Sequence, residues 1–422
     1  MRGHAWLPLI AAVALLAACS GDDDDAPPIC SAPAEAGPYA AGTRDLTLDD
    51  PLREAPFQAR VAYPAIAAGS ATQPDGSGAP YPLVVFSHGL LMYPETYDYL
   101  FTHLASHGFV VLGTKHRDSA EFVVDIVKNA CATIPEEEQI GKTIEVVGSL
   151  FEEDHPLRRP ADMSHLIDIA AALDRSDPIL TGMIDLGRVG AVGHSFGAFT
   201  SLMLAGAEVD RANITDLCSG GPWQWLADMS DEDPVKALKA LMCFLFDSVS
   251  EESMARPFDV QDERISAVTS IAGPVEWIWG EQYAGLDQVE LPVLMVYTST
   301  DASVQYEQAV VPAYSAFNAP KYFLTVDGGT HGNFGDTDMA YFDALAAEVP
   351  DSCHYKEIVG GLVSTTEVPA LEPADQTRLT RVPVAAFLQH HLAGATGCGP
   401  YLVPGYYENE DAEVQEFQAL AE

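Results

Sequence analysis

The stretch RVGAVGHSFGAFTSLMLAG, residues 188–206, decides the fold of this chain. In it an apolar run leads into a Gly-x-Ser-x-Gly turn, with Gly193 and Gly197 on either side of Ser195, and a helical segment follows. A turn from a buried strand into a helix forces the central serine into a strained backbone conformation, and side chains at the two glycines would collide with neighbouring elements. We therefore interpret Ser195 as a nucleophile exposed at the carboxyl end of a strand. A serine in an ordinary small-residue bend is the alternative.

Short apolar runs alternate with helical patterns on both sides of this turn. Within these runs apolar and polar residues do not alternate, which is typical of strands buried on both faces of a parallel sheet. The predicted strands are 57–63, 82–86, 109–112, 189–192, 265–271, 293–296 and 322–326, and the predicted helices are 95–106, 120–130, 138–151, 162–173 and 382–392. The pattern predicts an α/β fold with a mostly parallel central sheet and helices on both faces.

Residues 218–258 interrupt this alternation after the helix that follows the serine. They contain GPWQWLADMSDEDPVKALKALMCFLF, an amphipathic helical stretch with two tryptophans. Such an insertion is either a lid over a pocket or an extra helix packed on the body. A disulfide between Cys218 and Cys243 would staple this insertion.

Acidic residues dominate the charge of the chain. Its 422 residues include 62 Asp and Glu against 21 Lys and Arg, a formal net charge of −41. Binding to phosphates requires clustered cations, so this balance argues strongly against a nucleic acid partner and disfavours adhesion to anionic lipid headgroups. The apolar share of 48% is enough for a sizeable core and argues against global disorder.

The N-terminus has the pattern of an export signal. A short positive region precedes an apolar run over residues 7–18 that is too short to span a bilayer comfortably. The run ends in Leu-Ala-Ala-Cys at 16–19, which resembles the lipobox of bacterial lipoproteins, in which the cysteine is lipidated and the preceding peptide is removed. We expect a signal peptide over 1–18 and a lipid on Cys19. An ordinary secretory signal cleaved near Ala18 is the alternative.

This N-terminus predicts an exported protein anchored to the bacterial cell envelope, with membrane contact only through the lipid. Ser20 after the cysteine would fit sorting to the outer membrane of a Gram-negative cell. Residues 19–50, rich in Asp, Pro and Ala, are predicted to be a solvated tether, and 51–422 the catalytic domain. The acidic run 22–25 lacks the spacing and the turn glycines of a calcium site.

Cysteine usage agrees with export. Of seven cysteines, six remain after Cys19, an even number that suggests up to three disulfides, with a pairing that the sequence does not fix. They are Cys30, Cys131, Cys218, Cys243, Cys353 and Cys398. Because no CxxC pair or His-rich group is present, no metal site is predicted, and no cofactor is expected.

An acid and a base should accompany Ser195, because a serine hydroxyl needs a base to take its proton and the base needs an orienting carboxylate. On this type of fold they follow in the order serine, acid, histidine. Asp301 lies just past the strand in LPVLMVYTSTD, where an acid loop belongs, with Glu276 and Asp327 as rivals. His331 follows the last predicted strand in the glycine-rich segment VDGGTHGNFGD. The other histidines after the acid lie beside a cysteine or in the closing helix: His354, His390 and His391.

Two backbone N–H groups should bind the oxyanion that forms on attack, and loss of one such donor typically costs about 10²–10³ in rate. One is predicted to be the N–H of Phe196. The other should come from the turn FSHGLL after strand 82–86, where Leu90 or its neighbour Gly89 is the candidate. His88 in that turn precedes the serine and lies beside a strand end, so we assign it a structural role.

These motifs resemble a known family. The segments YPLVVFSHGL, LASHGFVV and KHRDSAEF, followed by VGHSFGA and THGNF, look like the platelet-activating-factor acetylhydrolases and their dienelactone-hydrolase-like and polyester-hydrolase relatives. The resemblance covers roughly residues 81–334. It implies an α/β-hydrolase in which Ser195 is the nucleophile, His331 the base, and Leu90 and Phe196 supply the oxyanion amides.

The acid is where the chain departs from the animal members of that family. They place it after the strand that follows the nucleophile turn, where residues 270–277 of this chain hold no Asp. Relatives with the acid one strand later match Asp301. Trp277 and Trp279, near this strand end, either line an ester pocket or pack in the core.

The expected function is that of an exported serine hydrolase that cleaves carboxylic esters through an acyl-enzyme. The substrate would be a small-molecule, lipid or polyester ester. A peptidase or acyltransferase with the same triad is one alternative, and a binding module on a hydrolase scaffold is another, because fold alone does not give function.

Overall fold

The computed structural model describes residues 29–48, 56–119, 154–221, 234–273, 278–301, 309–335, 347, 370–410 and 414–420. Several predictions fall on residues outside these ranges. They are the signal peptide 1–18, the lipidation site Cys19, the acidic run 22–25, the helices 120–130 and 138–151, and the residues Cys131, Glu276, Trp277, Cys353 and His354.

The strands of the described residues form one sheet, in the order β10-β9-β8-β7-β6-β4-β5-β2-β1-β3. They are β1 (Ala40–Leu48), β2 (Phe57–Ala65), β3 (Gly69–Ser70), β4 (Tyr81–Ser87), β5 (Val110–Thr114), β6 (Ile184–His194), β7 (Ile265–Ile271), β8 (Val293–Thr298), β9 (Lys321–Val326) and β10 (Val414–Leu420). The central strands β5, β4, β6, β7, β8 and β9 run parallel. β2, β1 and β10 join their neighbours β5, β2 and β9 antiparallel. The predicted mostly parallel sheet is confirmed.

The helices of the same residues are α1 (Asp98–Ser106), α2 (His155–Ser176), α3 (Phe196–Leu204), α4 (Arg211–Leu217), α5 (Pro234–Asp247), α6 (Glu251–Met254), α7 (Val311–Ala316), α8 (Pro373–His391) and α9 (Pro404–Glu410). Short 3₁₀ turns cover Pro94–Tyr97, Glu281–Leu286, Gly332–Phe334 and Thr396–Leu402. Within the described ranges, none of these helices is long and apolar enough to cross a membrane.

Helices cover both faces of the sheet, because successive side chains of a strand point to opposite sides. In β4, Leu83 and Val85 belong to the apolar cluster that holds α2 and α3. Val84 and Phe86 belong to the second cluster, with α1 and α8. Each of these four side chains is at most 1% exposed, and full burial of such a side chain contributes about 1.5–3 kcal/mol. The predicted helices on both faces are confirmed.

The prediction of a solvated tether over 19–50 is wrong for the part that the structure describes. Residues of β1, from Ala40 to Leu48, pair with β2 along the whole strand. Leu46 and Leu48 pack against the core. Upstream of β1, Cys30 forms a disulfide with Cys398. The pattern Thr-Arg-Asp-Leu-Thr-Leu alternates polar and apolar residues only at its end, so its composition concealed a mostly half-buried strand near the edge of the sheet.

The insertion 218–258 is stapled as predicted. Cys218 and Cys243 form a disulfide, which confirms the proposed pairing. Towards the end of α5, Met242 and Phe246 are buried in the core, and the Phe246 ring meets that of Phe199 edge-on at 6.3 Å. The described part of the insertion is therefore an extra helix packed on the body, and residues 222–233 lie outside the described ranges.

Candidate active site

Ser195 lies on a strained turn between β6 and α3. Its backbone has φ 54° and ψ −121°, in the left-handed half of conformational space that residues with a Cβ rarely adopt. The turn is held by a hydrogen bond from the Ser195 N–H to the Ile271 carbonyl at 2.8 Å. The hydroxyl consequently stands at the carboxyl edge of the parallel strands, at the N-terminal end of a helix.

The two glycines of the turn are required by close backbone approach. A Cβ on Gly193 would lie 2.0 Å from the Gly197 carbonyl oxygen, and a Cβ on Gly197 would lie 1.9 Å from the Ser87 carbonyl oxygen. Neither backbone oxygen can move away without displacing a strand or the turn itself. The steric reason for the Gly-x-Ser-x-Gly pattern is therefore local and visible in the structure.

Three side chains that are distant in sequence form one hydrogen-bonded row. His331 Nε2 lies 2.8 Å from Ser195 Oγ, and His331 Nδ1 lies 2.7 Å from Asp301 Oδ2. The Asp301 side chain is fully buried, whereas that of His331 is 10% exposed. A carboxylate only accepts hydrogen bonds, so Nδ1 carries the proton and Nε2 is free to accept the serine proton.

The position of the acid follows from the sheet. Asp301 lies three residues past the end of β8 at Thr298, and β8 is two strands from the strand that carries the serine. The rival Asp327 is exposed and accepts a hydrogen bond from Ser299 Oγ at 2.6 Å. Among the described carboxylates, Asp301 is therefore the one in contact with the His331 imidazole.

The loop that carries His331 is fixed on both sides. On one side the Gln376 side chain of α8 accepts from the Thr330 N–H at 2.9 Å and donates to the Thr330 carbonyl at 2.7 Å. On the other side His194 Nε2 donates to the His331 carbonyl at 3.1 Å. Two elements of the fold thus hold the backbone of the base, which limits how far the imidazole can drift from the serine.

His194 is also tied to the turn after β4. Because its Nε2 donates to a carbonyl, its Nδ1 accepts, and the Tyr97 hydroxyl donates to it at 2.7 Å. The Tyr97 oxygen in turn accepts from the Gly89 N–H at 3.1 Å. Burial, together with the nearby charge of His331, holds the pKa of His194 well below its usual value, so the ring stays neutral.

One backbone N–H of the turn after β4 has no acceptor among the described residues. Of its amides, Gly89 donates to Tyr97 and Leu91 donates to the Asp118 carbonyl at 3.1 Å. The Leu90 N–H has no acceptor within the described part of the chain. The turn also approaches the nucleophile closely, since a Cβ on Gly89 would lie 3.4 Å from the Ser195 Cβ.

The direction of the Leu90 N–H is set by the carbonyl that shares its peptide plane. A peptide is planar and trans, so fixing the Gly89 oxygen fixes the Leu90 hydrogen on the opposite side. His88 Nδ1 donates to that oxygen at 2.6 Å, and the Met92 N–H donates to it at 3.1 Å. His88 therefore has the structural role that the sequence suggested, as a support of the turn.

His88 is held in one tautomer by its surroundings. Its Nε2 accepts from the His116 N–H at 3.0 Å and lies 3.1 Å from Ser119 Oγ, which leaves the proton on Nδ1. Burial, with the charge of Arg159 nearby, holds its pKa well below the usual value. A neutral His88 can donate only from Nδ1, and that is the bond the turn requires.

The second predicted oxyanion donor is the N–H of Phe196. Phe196 is the first residue of α3, and the first N–H groups of a helix have no partner within the helix. They carry the positive end of the helix dipole, which favours negative charge beside Ser195. Phe196 directly follows the serine, and Leu90 belongs to the turn after β4, which approaches the serine from a different element.

A buried network of charged side chains, which the sequence did not predict, contacts the segments of both predicted oxyanion donors. Arg159 and Asp118 are each 1% exposed and form a two-pronged ion pair, with Arg159 Nη2 at 2.8 and 2.7 Å from the carboxylate oxygens. His116 pairs with Asp162 at 2.8 Å beside them. The motif KHRDSAEF contains two of these residues, but no nearby residue pattern indicates that a distant helix supplies their partners.

The comparisons with known proteins cover the part of the site that contains Leu90, Ser195 and Phe196. Residues 55–215 match the family model of platelet-activating factor acetylhydrolase, isoform II. The chain is 30% identical over 139 residues to the platelet-activating factor acetylhydrolase of Cavia porcellus, which covers 29% of this chain and 31% of that protein. It is 31% identical over 161 residues to that of Canis lupus familiaris, covering 32% and 35%. The chain thus spans about a third of the length of the curated relatives it matches.

The parallel sheet, the strand–turn–helix at the serine and the family match agree. The chain has the α/β-hydrolase fold. The match includes Leu90, Ser195 and Phe196 and ends before Asp301 and His331. Geometry alone therefore supports the acid and the base.

Two further predictions concern a tryptophan near the site and metal binding. Trp279 is fully buried and its ring lies 5.3 Å from that of Phe199, so this tryptophan packs in the core. Among the described residues, no group of three or more His, Cys, Asp or Glu side chains is arranged to hold a metal ion.

Proposed function

We propose that the protein is a serine hydrolase that cleaves carboxylic esters through an acyl-enzyme. The observation that carries this proposal is the row Ser195–His331–Asp301, with hydrogen-bond distances of 2.8 and 2.7 Å, on a turn with positive φ. A binding scaffold has no need for a strained serine, a buried acid and an oriented imidazole together.

The proposed reaction begins with acylation of Ser195. His331 Nε2 removes the proton of Ser195 Oγ as that oxygen attacks the ester carbonyl, and Asp301 stabilises the imidazolium that forms. The negative charge that develops on the carbonyl oxygen is bound by the N–H groups of Leu90 and Phe196. The tetrahedral intermediate then collapses, the C–O bond to the alcohol breaks, and His331 returns the proton to the leaving alkoxide.

Deacylation uses the same groups with water as the nucleophile. His331 takes a proton from water, which attacks the acyl carbonyl, and the acid leaves as Ser195 regains its proton. The similarity to acetylhydrolases supports an ester as substrate, because that name describes removal of an acetyl group. Since only about a third of those proteins is matched, esters with a short acyl group are the first substrates to test, and longer ones follow.

The experiment is a panel of p-nitrophenyl esters of graded acyl length, set against peptide p-nitroanilides. The protein should hydrolyse the esters and label with a fluorophosphonate, and Ser195→Ala should lose both while keeping its circular dichroism spectrum. Ser315→Ala, which removes an exposed hydroxyl on α7, is the matched control and should retain both. Retained labelling in Ser195→Ala would refute the assignment, and faster cleavage of the anilides would favour a peptidase.

We further propose that the protein is exported and anchored by a lipid on Cys19. The full chain expressed in a Gram-negative host should fractionate with membranes and carry acyl groups on its N-terminal cysteine by mass spectrometry, whereas Cys19→Ser should not. Recovery of soluble protein with an unmodified N-terminus near residue 19 would show an ordinary secretory signal instead.

The described chain downstream of that cysteine is fixed at the edge of the sheet opposite the serine. Cys30 is joined to Cys398, and Ser31 exchanges hydrogen bonds with Gln389 at 2.9 and 3.0 Å and with the His107 ring. His107 lies just before β5 begins, at the amino edge of the parallel strands, whereas the nucleophile follows the carboxyl end of β6.

This attachment would direct the active site away from the anchoring membrane. The eleven residues from Cys19 to Cys30 span at most about 40 Å. A domain of about 400 residues has a radius of gyration of about 21 Å, so a path around its surface to the opposite edge is about 80 Å. The substrate would then arrive from the aqueous side. In vesicles, the anchored protein and Cys19→Ser should hydrolyse a bilayer-embedded fluorogenic ester equally well, and strong acceleration by the anchor would contradict this.

A further inference from the structure

Arg159 touches both halves of the predicted oxyanion hole. From α2 its Nη1 donates to the His88 carbonyl at 2.6 Å, immediately before the turn that presents Leu90. Its guanidinium lies over the ring of Phe196, with 4.5 Å from Cζ to the ring centroid. One buried side chain therefore contacts the two segments whose N–H groups must converge on a single oxygen atom.

Asp118 contacts both Arg159 and the turn after β4. Its carboxylate accepts from Arg159 Nη2 at 2.8 and 2.7 Å and from Nε at 3.2 Å, and its backbone carbonyl accepts the Leu91 N–H at 3.1 Å. Leu91 has φ 61°, an uncommon conformation for a leucine, which this bond and the bridge to Ser119 hold in place. The peptide planes before and after the one that contains the Leu90 N–H are thus tied to the same ion pair.

The chemistry of arginine suits this task. Its planar fork binds a carboxylate with two parallel bonds while a remaining N–H reaches a carbonyl and its face stacks on an aromatic ring. A lysine ammonium has three donors but neither the planar fork nor the flat face, so it cannot make the same set of contacts. The burial of both charges is compensated within the pair, and the charge of Arg159 holds the pKa of Asp118 well below its usual value in spite of burial, which by itself would raise it.

We propose that the buried Arg159–Asp118 pair is a positioning device that aligns the Leu90 and Phe196 N–H groups with the transition-state oxyanion. Arg159 acts through these groups and does not touch the substrate. This inference rests on the proposed ester hydrolysis. It predicts that loss of the fork lowers transition-state binding and leaves ground-state binding of the ester almost unchanged.

The test compares the full-chain protein with Arg159→Lys and with a control, Arg264→Lys. Arg264 also forms a forked pair, with Asp262, but its side chain is 39% exposed. With p-nitrophenyl acetate, Arg159→Lys should lower kcat about 10- to 100-fold, less than the 10²–10³ typical for complete loss of a donor, with KM within threefold. The inhibition constant of a trifluoromethyl ketone, whose hemiketal places an oxyanion in the hole, should rise by the same factor as kcat/KM falls. Arg264→Lys should match the wild type in all three measurements.

A purely structural role would give a different result. In that case melting temperature and the fraction of active enzyme would fall, while kcat per titrated Ser195 and the ketone inhibition constant would stay at wild-type values, and the proposal would be overturned. If Arg159→Lys fails to fold, Phe196→Leu removes the ring under the guanidinium and retains the backbone N–H. It should weaken ketone binding about three- to tenfold, and unchanged binding there would also overturn the proposal.

The same data separate the two proposals. A wild-type protein that neither hydrolyses esters nor labels with a fluorophosphonate would refute the proposed function, and the oxyanion role with it. An active wild type with unaltered kcat and ketone binding in Arg159→Lys would refute the positioning role alone.

Discussion

Replacement of Asp301 by asparagine tests how the acid orients His331 and how its charge stabilises the protonated imidazole. The variant keeps the size of a side chain that is fully buried and lies 2.7 Å from His331 Nδ1. It removes the charge that stabilises the imidazolium. It also offers an N–H towards Nδ1, which favours the tautomer with the proton on Nε2, and that nitrogen can then no longer accept from Ser195.

The magnitude follows from the distances. With charge centres about 4 Å apart and an effective dielectric constant of about 20, the lost attraction is about 4 kcal/mol. That is about a 10³-fold loss in rate at roughly 1.4 kcal/mol per decade. The unfavourable tautomer adds to this, so we expect kcat/KM to fall about 10⁴-fold, as is typical when the acid of such a triad becomes an amide.

The assay is hydrolysis of p-nitrophenyl acetate by Asp301→Asn, corrected for wild-type contamination by fluorophosphonate titration. Two controls address the rival acids. Asp327→Asn changes an exposed carboxylate bonded to Ser299, and Glu276→Gln changes the other sequence candidate; both should retain activity within about threefold. A loss under tenfold for Asp301→Asn, or a larger loss for Glu276→Gln, would refute the assignment of the acid.

Four other expectations follow from the described contacts. Tyr97→Phe leaves the Gly89 N–H and His194 Nδ1 without their partner. Kinetics should show a lower kcat, and urea titration should show a free energy of unfolding that is lower by about 1–3 kcal/mol. Unchanged values would refute the role of Tyr97 in linking the two turns. Gly197→Ala should yield no folded protein on gel filtration, because the new Cβ meets a backbone oxygen at 1.9 Å. Burial lowers the pKa of His103 to about 3, so on acidification the unfolded state binds a proton before the folded state does. The free energy of unfolding should therefore fall as the pH drops from about 6.5 towards 3, by up to about 1.4 kcal/mol per pH unit. In His103→Gln, the urea midpoint should depend less steeply on pH over this range. Replacing Cys218 and Cys243 by serine opens a loop with a sequence separation of 25 and should lower the free energy of unfolding by about 3 kcal/mol; no change in the urea midpoint would contradict this.

Buried strands were the most predictable part of the fold. The run 265–271 was predicted with the bounds that β7 has, and the other predicted strands differ from the observed ones mostly by one or two residues at their ends. A strand buried on both faces is apolar throughout, so its signal is local. β1 was missed because most of its residues are only half-buried, and its polar positions resemble those of a linker. β10 was missed as well, since its pairing with β9 comes from the far end of the chain.

The residues of the candidate site likewise divide into those that the sequence predicted and those that it did not. Ser195, Asp301 and His331 were proposed from motif, strand order and elimination, and the structure brings them into contact. Arg159 and Tyr97 were not proposed, because nothing near them in sequence shows that they reach the turns beside the serine. Both are fully buried polar side chains whose partners come from other elements.

By itself, the sequence determined where the chain turns sharply and which residue types stand there, because steric demands such as those at Gly193 and Gly197 act between near neighbours. It also determined the class of the sheet, since burial on both faces imposes an apolar run. Which carboxylate faces the imidazole, and which buried charges contact the turns beside Ser195, is visible in the folded chain alone. Those contacts join strands and helices that are remote along the chain, and a hydrogen bond depends on a few tenths of an ångström that no residue pattern encodes.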